Sequence, residues 1–358
     1  MNKLSTTVVI FSSLFIGDVF SQNYQVFDLG SIGDSPSIAY GISDNGQVTG
    51  ELANVGGGTY AFLYGNGSIQ NIGGNNPAVG YGVNSSGEVV GVQNGYSGYS
   101  HAFIYVNGVI QDAGTLGGNS SEFLAINDNG VAVGYSDTGI GSSPPHAVIY
   151  SDGIMHDIGN LGYDYNYSSY ATAINNNGQV VGYAATPDHG YVHAFLYSSG
   201  SMYDIGTFPG GEQTFAYGIN NNGQIVGAGD IAGSHNGHAF LYANGQMSDL
   251  GTLGGDYSQA NGINDNGQIV GVSQVSDITG VADAFLYSNG SMVDLNSLIG
   301  PNSGWTLESA TAINDSGQIV GYGINAEGQD HAFLLEMIPE PSMLLPLGLA
   351  TLVVWRRR

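Results

Sequence analysis

The chain is patterned in short apolar runs of β type, each closed off by Gly, Asn, Asp or Ser. One stretch shows the pattern in full: Gln259 to Asn264, Gln268 to Ser273, Ala282 to Tyr287 and Ser291 to Leu295 predict four strands. Asp265-Asn266-Gly267 separates the first two and Ser288-Asn289-Gly290 the last two. Asn-Gly supplies the positive φ angles of a tight hairpin, so the four strands pair as a meander.

This unit repeats. Copies of the stretch Gly262 to Gly271 begin at Gly41, Gly82, Ala125, Ala173, Gly218, Gly262 and Ala312, at intervals of 41, 43, 48, 45, 44 and 50 residues. The third run of each unit carries a second signature, as in His101-Ala102-Phe103-Ile104-Tyr105, with counterparts starting at His146, His193 and His238 and relatives at Tyr60, Asp283 and His331. Its apolar residues do not alternate with polar ones, so both faces of that strand are buried. Small sheets stacked around an axis meet that demand, because each is covered by a neighbour on either side.

The ends of the array decide between a ring and an open stack. The segment Tyr24 to Gly30 matches a fourth strand such as Met202 to Gly206, while the seventh unit stops after its third, His331 to Leu335. Pairing the two completes a seventh sheet and closes the ring. The predicted fold is therefore an all-β, seven-bladed β-propeller of four-stranded blades over residues 22–338, one domain. A right-handed β-solenoid is the alternative, and it would carry polar caps in place of complementary half-units.

Composition changes the picture in two ways. The 59 glycines follow no triplet period, which excludes collagen, and 42% hydrophobic residues suffice for a core. Of 29 acidic residues only Asp18 and Glu340 lie outside the body, leaving 27, whereas all 4 basic ones (Lys3, Arg356, Arg357, Arg358) lie outside it. A body without Lys or Arg cannot neutralise phosphates, so nucleic acid is excluded as a partner; divalent cations or cationic surfaces would relieve its self-repulsion. The absence of cysteine removes disulfides and thiolate metal sites.

The two ends differ from the body. Residues 1–21 combine Lys3, an apolar run from Val8 to Ile16, and Val19 and Ser21 at the minus-three and minus-one positions of a cut before Gln22, the pattern of a secretory signal peptide. Residues 339–358 carry Pro339-Glu340-Pro341, then Met343 to Trp355, almost wholly apolar, then Arg356-Arg357-Arg358. This tripartite tail resembles the PEP-CTERM sorting signal of Gram-negative bacteria. The resemblance implies an exosortase-type enzyme as processing partner and a transient inner-membrane anchor, with the arginines cytoplasmic and delivery to the cell surface or outside it. A plain C-terminal membrane anchor is the alternative.

The His-Ala-Phe runs, together with Asn-Gly turns and segments such as Asp249 to Gly255, resemble the HAF repeat of extracellular bacterial proteins. The likeness spans nearly the whole body, departs at Tyr60, Asp283 and Val148, and implies no settled activity.

Candidate chemistry is sparse. The repeated histidines lie too far apart to share one metal ion, and the expectation is that each satisfies a buried backbone or turn group; His235 with His238 is the only tighter pair. The Asn-Asp-Asn-Gly turns at Asn127 to Gly130 and Asn264 to Gly267 have the oxygen-rich look of calcium loops but lack the closing Glu, so low-affinity calcium binding by surface carboxylates is the most they offer. Gly33-Asp34-Ser35 has no supporting His and Asp, and no catalytic residue or metal ligand is assigned. Tyr163, Tyr165, Tyr167 and Tyr170 cluster before the fourth blade, where exposed rings can stack on sugars; a loop packing its own aromatics is the alternative. Together these features describe an exported, non-enzymatic module that binds exopolysaccharide or envelope partners at the cell surface, the alternative being a polysaccharide hydrolase or lyase on the same scaffold.

Overall fold

The structure, a computed structural model, describes residues 24–30, 35–53, 58–94, 98–139, 144–162, 167–187, 191–277 and 280–338, with the backbone alone for Ser234 and His235. Seven four-stranded antiparallel sheets are present, so the chain is a seven-bladed β-propeller. Six blades are continuous in sequence, spanning residues 37–71, 78–112, 121–157, 169–204, 214–249 and 258–294. The seventh spans 306–337 and takes its outermost strand from the chain start, Tyr24–Asp28 pairing with Asp330–Met337 in the register Tyr24↔Met337 to Asp28↔Phe333. The ring also closes at its inner edge, where Thr311 Oγ1 donates to Ala39 O (2.8 Å) and Asn314 Nδ2 to Ser43 O (3.0 Å). These bonds join the last blade to the first and overturn the solenoid alternative.

The sequence unit explains the blade. The first strand of each blade lies innermost, its last apolar residue (Ile42, Val83, Ile126, Ile174, Ile219, Ile263, Ile313) lining an axial cavity of about 190 Å³. Adjacent first strands come close enough that a methyl group on Gly41 would lie 2.7 Å from Tyr81 O, which is why each repeated stretch opens on Gly or Ala. Every first strand also carries a bulge, for example between Ala260 and Gly262. The bulge sets the Gln259 carbonyl over Gly271, where a side chain would collide with it and with the Phe285 ring. Third-strand phenylalanines (Phe62, Phe103, Phe195, Phe240, Phe285, Phe333) fill the matching slots and are fully buried. Each contributes roughly 1.5–3 kcal/mol by burial.

The two hairpins of a blade differ, and one differs from expectation. In Ser288-Asn289-Gly290 both Asn289 (φ 53°) and Gly290 (φ 81°) are left-handed, as a two-residue hairpin requires. In Asn264 to Gln268 only Gly267 is (φ 74°); Gly267 N donates to Asn264 O (3.0 Å) and Asn264 N to Gln268 O (3.1 Å). The inner turn is thus a wider, three-residue loop, and Asn264 leaves the strand, which runs Ser258–Ile263. The fourth strand likewise ends at Asp294, with Leu295 in a short 3-10 turn. The extra width frees the Asn266 side chain to reach the next blade and the Asp265 carboxylate to accept from Asn221 of the preceding one.

Candidate functional site

At one end of the axis the seven inner turns form a self-satisfied ring. Six of them lead with a buried Asn that bonds the equivalent carbonyl of the next blade: Asn84 to Asn127 O (3.2 Å), Asn127 to Asn175 O (3.0 Å), Asn175 to Asn220 O (3.0 Å), Asn220 to Asn264 O (3.0 Å), Asn264 to Asn314 O (2.9 Å) and Asn314 to Ser43 O (3.0 Å); the first leads with Ser43, whose hydroxyl donates to Asn45 Oδ1 in its own turn (2.6 Å). A second tier runs from backbone N–H to the neighbour's side chain, as in Asp128 N to Asn176 Oδ1 (3.0 Å) and Asp265 N to Asp315 Oδ1 (2.8 Å). Asp44, Asp128, Asp265 and Asp315 belong to this tier. Burial and the charges of Asp44, Asp265 and Asp128 raise the Asp315 carboxyl above its ordinary value, against the bond from Asp265 N–H. Among the described residues no group of three or more His, Asp or Glu is arranged to hold a metal ion.

The other end of the same strands is aromatic. A residue lies about 3.3 Å further along a strand from its neighbour, so the bulge and the residues before it sit several ångströms from the turn ring. There Tyr40 (blade 1) and Tyr81 (blade 2) meet with ring centroids 5.2 Å apart; Tyr135 (blade 3) meets Tyr170 (blade 4) at 5.0 Å, Tyr170 stacks on Tyr183 at 5.1 Å, and Tyr183 meets Phe215 (blade 5) at 5.2 Å. Tyr217, Tyr257 and Tyr322 complete the circuit back to Tyr40, each within electrostatic reach of the next. Every blade but the sixth contributes from its first two strands, the sixth through Tyr257 just before its first. All these tyrosines are half-buried, so solvent reaches the belt from this end.

Two carboxylates are set into the belt. Tyr40 Oη donates to Glu51 Oε1 (3.1 Å) and Tyr135 Oη to Glu122 Oε2 (2.7 Å), and Tyr81 also bonds Glu122. Burial first, and then the adjoining carboxylate, push the Tyr40, Tyr81 and Tyr135 hydroxyls well above the ordinary tyrosine value. They remain protonated donors at any physiological pH. On the opposite arc Tyr257 Oη donates to Gln259 Oε1 (2.9 Å), Gln259 Nε2 to Asn261 Oδ1 (2.7 Å) and Asn261 Nδ2 to Ala310 O (2.8 Å), so the amides there are spent within the protein.

The repeated histidines lie outside the belt, in the third strands. Each pairs through Nδ1 with an aspartate of the fourth strand: His101 with Asp112 (3.0 Å), His146 with Asp157 (2.9 Å), His193 with Asp204 (2.8 Å), His238 with Asp249 (3.0 Å) and His331 with Asp28 (3.0 Å). The expected backbone or turn acceptor is therefore replaced by a carboxylate, because the short turn after the third strand brings the Asp of the Asp-x-Gly segment alongside. Each Asp also accepts from the glycine two residues on, as Asp157 does from Gly159 N (2.7 Å). In blade 7 the pair spans the chain ends and clasps the ring. Asp283 replaces His in blade 6, where burial and the charges of Asp294 and Glu308 raise its carboxyl.

The family profile described as "Protein of unknown function (DUF3466)" matches residues 120–333, more than half of the chain. The chain belongs to that family. The DUF3466 match runs from the start of blade 3 to Phe333 in the closing blade and so covers the His–Asp pairs of blades 3 to 5. No curated protein matches the chain. Among solved structures, the β-propeller domain of the Trilobed protease from Pyrococcus furiosus, described as having an open velcro topology, is similar at 8% identity, a TM-score of 0.55, 85% of this chain and 98% of that one. The acylaminoacyl peptidase of Pyrococcus horikoshii is similar at 9% identity, a TM-score of 0.50 and 85% of this chain, which spans 52% of the peptidase. At these identities the likeness shows the fold alone.

Within this DUF3466 chain the structure separates the tyrosines singled out by sequence. Tyr170 lies in the strand Ser169–Ile174 and belongs to the belt, whereas the Tyr167 ring packs over Gly162 in its own loop. Tyr163 and Tyr165 lie outside the described residues, as do Gly33 and Asp34, the His235 side chain, Ser21, Gln22, Pro339, Glu340, Pro341, Arg356, Arg357 and Arg358. No helix among the described residues is long and apolar enough to cross a membrane. Sequence reading missed Glu51, Glu122 and most of the belt. The available signal was the residue just before each repeated stretch, which varies as Tyr40, Tyr81, Leu124, Thr172, Tyr217, Asn261 and Thr311 while its neighbours repeat.

Proposed function

We propose that this protein is a non-catalytic carbohydrate-binding module, exported and presented at the cell surface, whose tyrosine belt docks an exopolysaccharide or envelope glycan. The signal-type leader and the Pro339-Glu340-Pro341 tail support delivery by that route, with an exosortase-type enzyme as processing partner. The observation that carries the binding reading is the belt itself: half-buried tyrosine rings from around the whole axis, with protonated hydroxyls, gathered at one end of it. Such rings offer flat apolar faces to sugar C–H groups and hydroxyl donors to sugar oxygens.

A glycan array followed by calorimetric titration of the hits tests this reading. Binding that is lost in a Tyr81→Ala, Tyr135→Ala, Tyr183→Ala variant that still melts cooperatively supports it. Release of new reducing ends from a bound glycan would replace it with a polysaccharide-cleaving activity.

A further inference from the structure

We infer that the glycan taken by the belt is a cationic one, a sugar chain bearing free amines, so that ammonium groups sit against Glu51 and Glu122; this rests on the binding reading above and names its ligand class. The argument begins with charge. Between Tyr24 and Ile338 the chain contains no Lys or Arg, so among the described residues neither belt carboxylate has a fixed cation to face. The protein's repeated imidazoles are engaged elsewhere, His101, His146, His193, His238 and His331 each held by an aspartate of the closing strand. Among the described residues Glu51 and Glu122 have tyrosine hydroxyls as their hydrogen-bond partners, and a carboxylate offers about four lone-pair sites.

The surroundings of these carboxylates select among sugars. An ammonium group beside a tyrosine face is attracted by the ring quadrupole as well as by the carboxylate. The protonated Tyr40 and Tyr135 hydroxyls hold the half-buried carboxylates in place by donating to them, and the lone pairs they do not use can accept from a ligand. A uronic-acid polymer would bring like charge to an acidic belt on an acidic body and is disfavoured on both counts. A neutral sugar can stack on the rings but leaves two carboxylates without the donors that an amine supplies. The carboxylates lie on blades 1 and 3, on either side of Tyr81 from blade 2, so the ammonium-binding side of the belt is the arc formed by those three blades.

The test titrates the full protein with a hexamer of glucosamine and with its N-acetylated counterpart, which differ only in the charge and acylation of the amine. The same titrations are made on Glu51→Gln/Glu122→Gln and on Asp315→Asn, a charge removal at the opposite end of the axis. A charged hydrogen bond to a carboxylate corresponds to a preference of about tenfold or more for the amine form at low salt. That preference should collapse in Glu51→Gln/Glu122→Gln, persist in Asp315→Asn, and shrink at about 0.5 M NaCl. Equal affinity for the two hexamers, with binding retained, overturns the amine inference and leaves the carbohydrate reading standing. A preference lost equally in Asp315→Asn overturns it too, because diffuse attraction to the acidic body would then account for it. If neither hexamer binds and the glycan array is empty, both readings fall. Melting curves for each variant separate a lost site from a lost fold.

Discussion

The two ends of one set of inner strands show opposite uses of polar side chains. At the turn end Asn84, Asn127, Asn175, Asn220, Asn264 and Asn314 recur and spend their amides on the next blade. At the belt end the corresponding positions differ from blade to blade, and the hydroxyls of Tyr40, Tyr81 and Tyr135 converge on two carboxylates with capacity to spare. Where the chain repeats, it builds the ring. Where it stops repeating, it builds a surface that one ligand can address. A buried donor or acceptor left without its partner costs about 1–3 kcal/mol, which keeps the turn ring uniform, whereas half-exposed groups are free to vary.

The harshest test of this division removes what both ends depend on. Deleting residues 24–28 takes away the outer strand of blade 7 together with Asp28, the partner of His331, and with it the clasp of the ring. The melting temperature should fall by roughly 10 °C or more, with broadening of the transition. A loss confined to local fraying, read by amide exchange in blade 7 alone, would show that the inner-edge bonds suffice.

Next in size is Asn220→Ala. Its amide donates to Asn264 O (3.0 Å) and Gln224 Oε1 (2.8 Å), and its carbonyl accepts from Asn222 N (3.1 Å) and Gln224 N (3.0 Å). Denaturant unfolding should show a loss of about 2–3 kcal/mol, with sugar affinity unchanged. The mirror experiment is Tyr135→Phe, which removes only the hydroxyl on Glu122. Stability should change by less than about 1 kcal/mol, while sugar affinity falls several-fold. A reversed outcome for the pair would erase the distinction between the ends.

The smallest effects come from two carboxylates shifted in opposite directions. Burial alone would raise Asp157, but the bonds from His146 and Gly159 N outweigh it and hold its carboxyl below the ordinary value. Its stabilising contribution is complete above the unfolded value near 3.9 and is lost as pH falls toward the lowered folded value, so Asp157→Asn should flatten the acid limb of a melting profile. Asp315 is raised, so the folded state takes up its proton first and this site destabilises at neutral pH, with relief as pH falls. Asp315→Asn keeps the acceptor for Asp265 N–H and should stabilise at neutral pH by a few tenths of a kcal/mol, solvent screening having reduced the rest.

Much of the fold was legible because its causes are local. The Asn289-Gly290 turn, the unbroken apolar third strand and the count of units all follow from neighbours in sequence. The split blade was legible too, since Tyr24 to Asp28 and His331 to Leu335 are complementary fragments of one repeat. The inner turn was misjudged because Asn266 beside Gly267 looks identical to Asn289 beside Gly290, yet only the latter Asn is left-handed. The difference lies in the contacts each loop makes: Asn266 Nδ2 reaches Asp315 O in the next blade at 2.9 Å.

The sequence by itself determined the strands, their pairing within a blade, the number of blades and the manner of closure, because short apolar runs and turn chemistry act over a few residues and the unit they build repeats. Tertiary structure alone decided which residues share the belt. Tyr322 comes within electrostatic reach of Tyr40 only because seven blades close on themselves, and the bulge in each first strand adds one residue to the alternation, so counting from the turn does not say which side chains join the belt. The His–Asp pairs needed both levels: their spacing is written in the chain, but only the folded antiparallel pairing of third and fourth strands puts imidazole and carboxylate side by side.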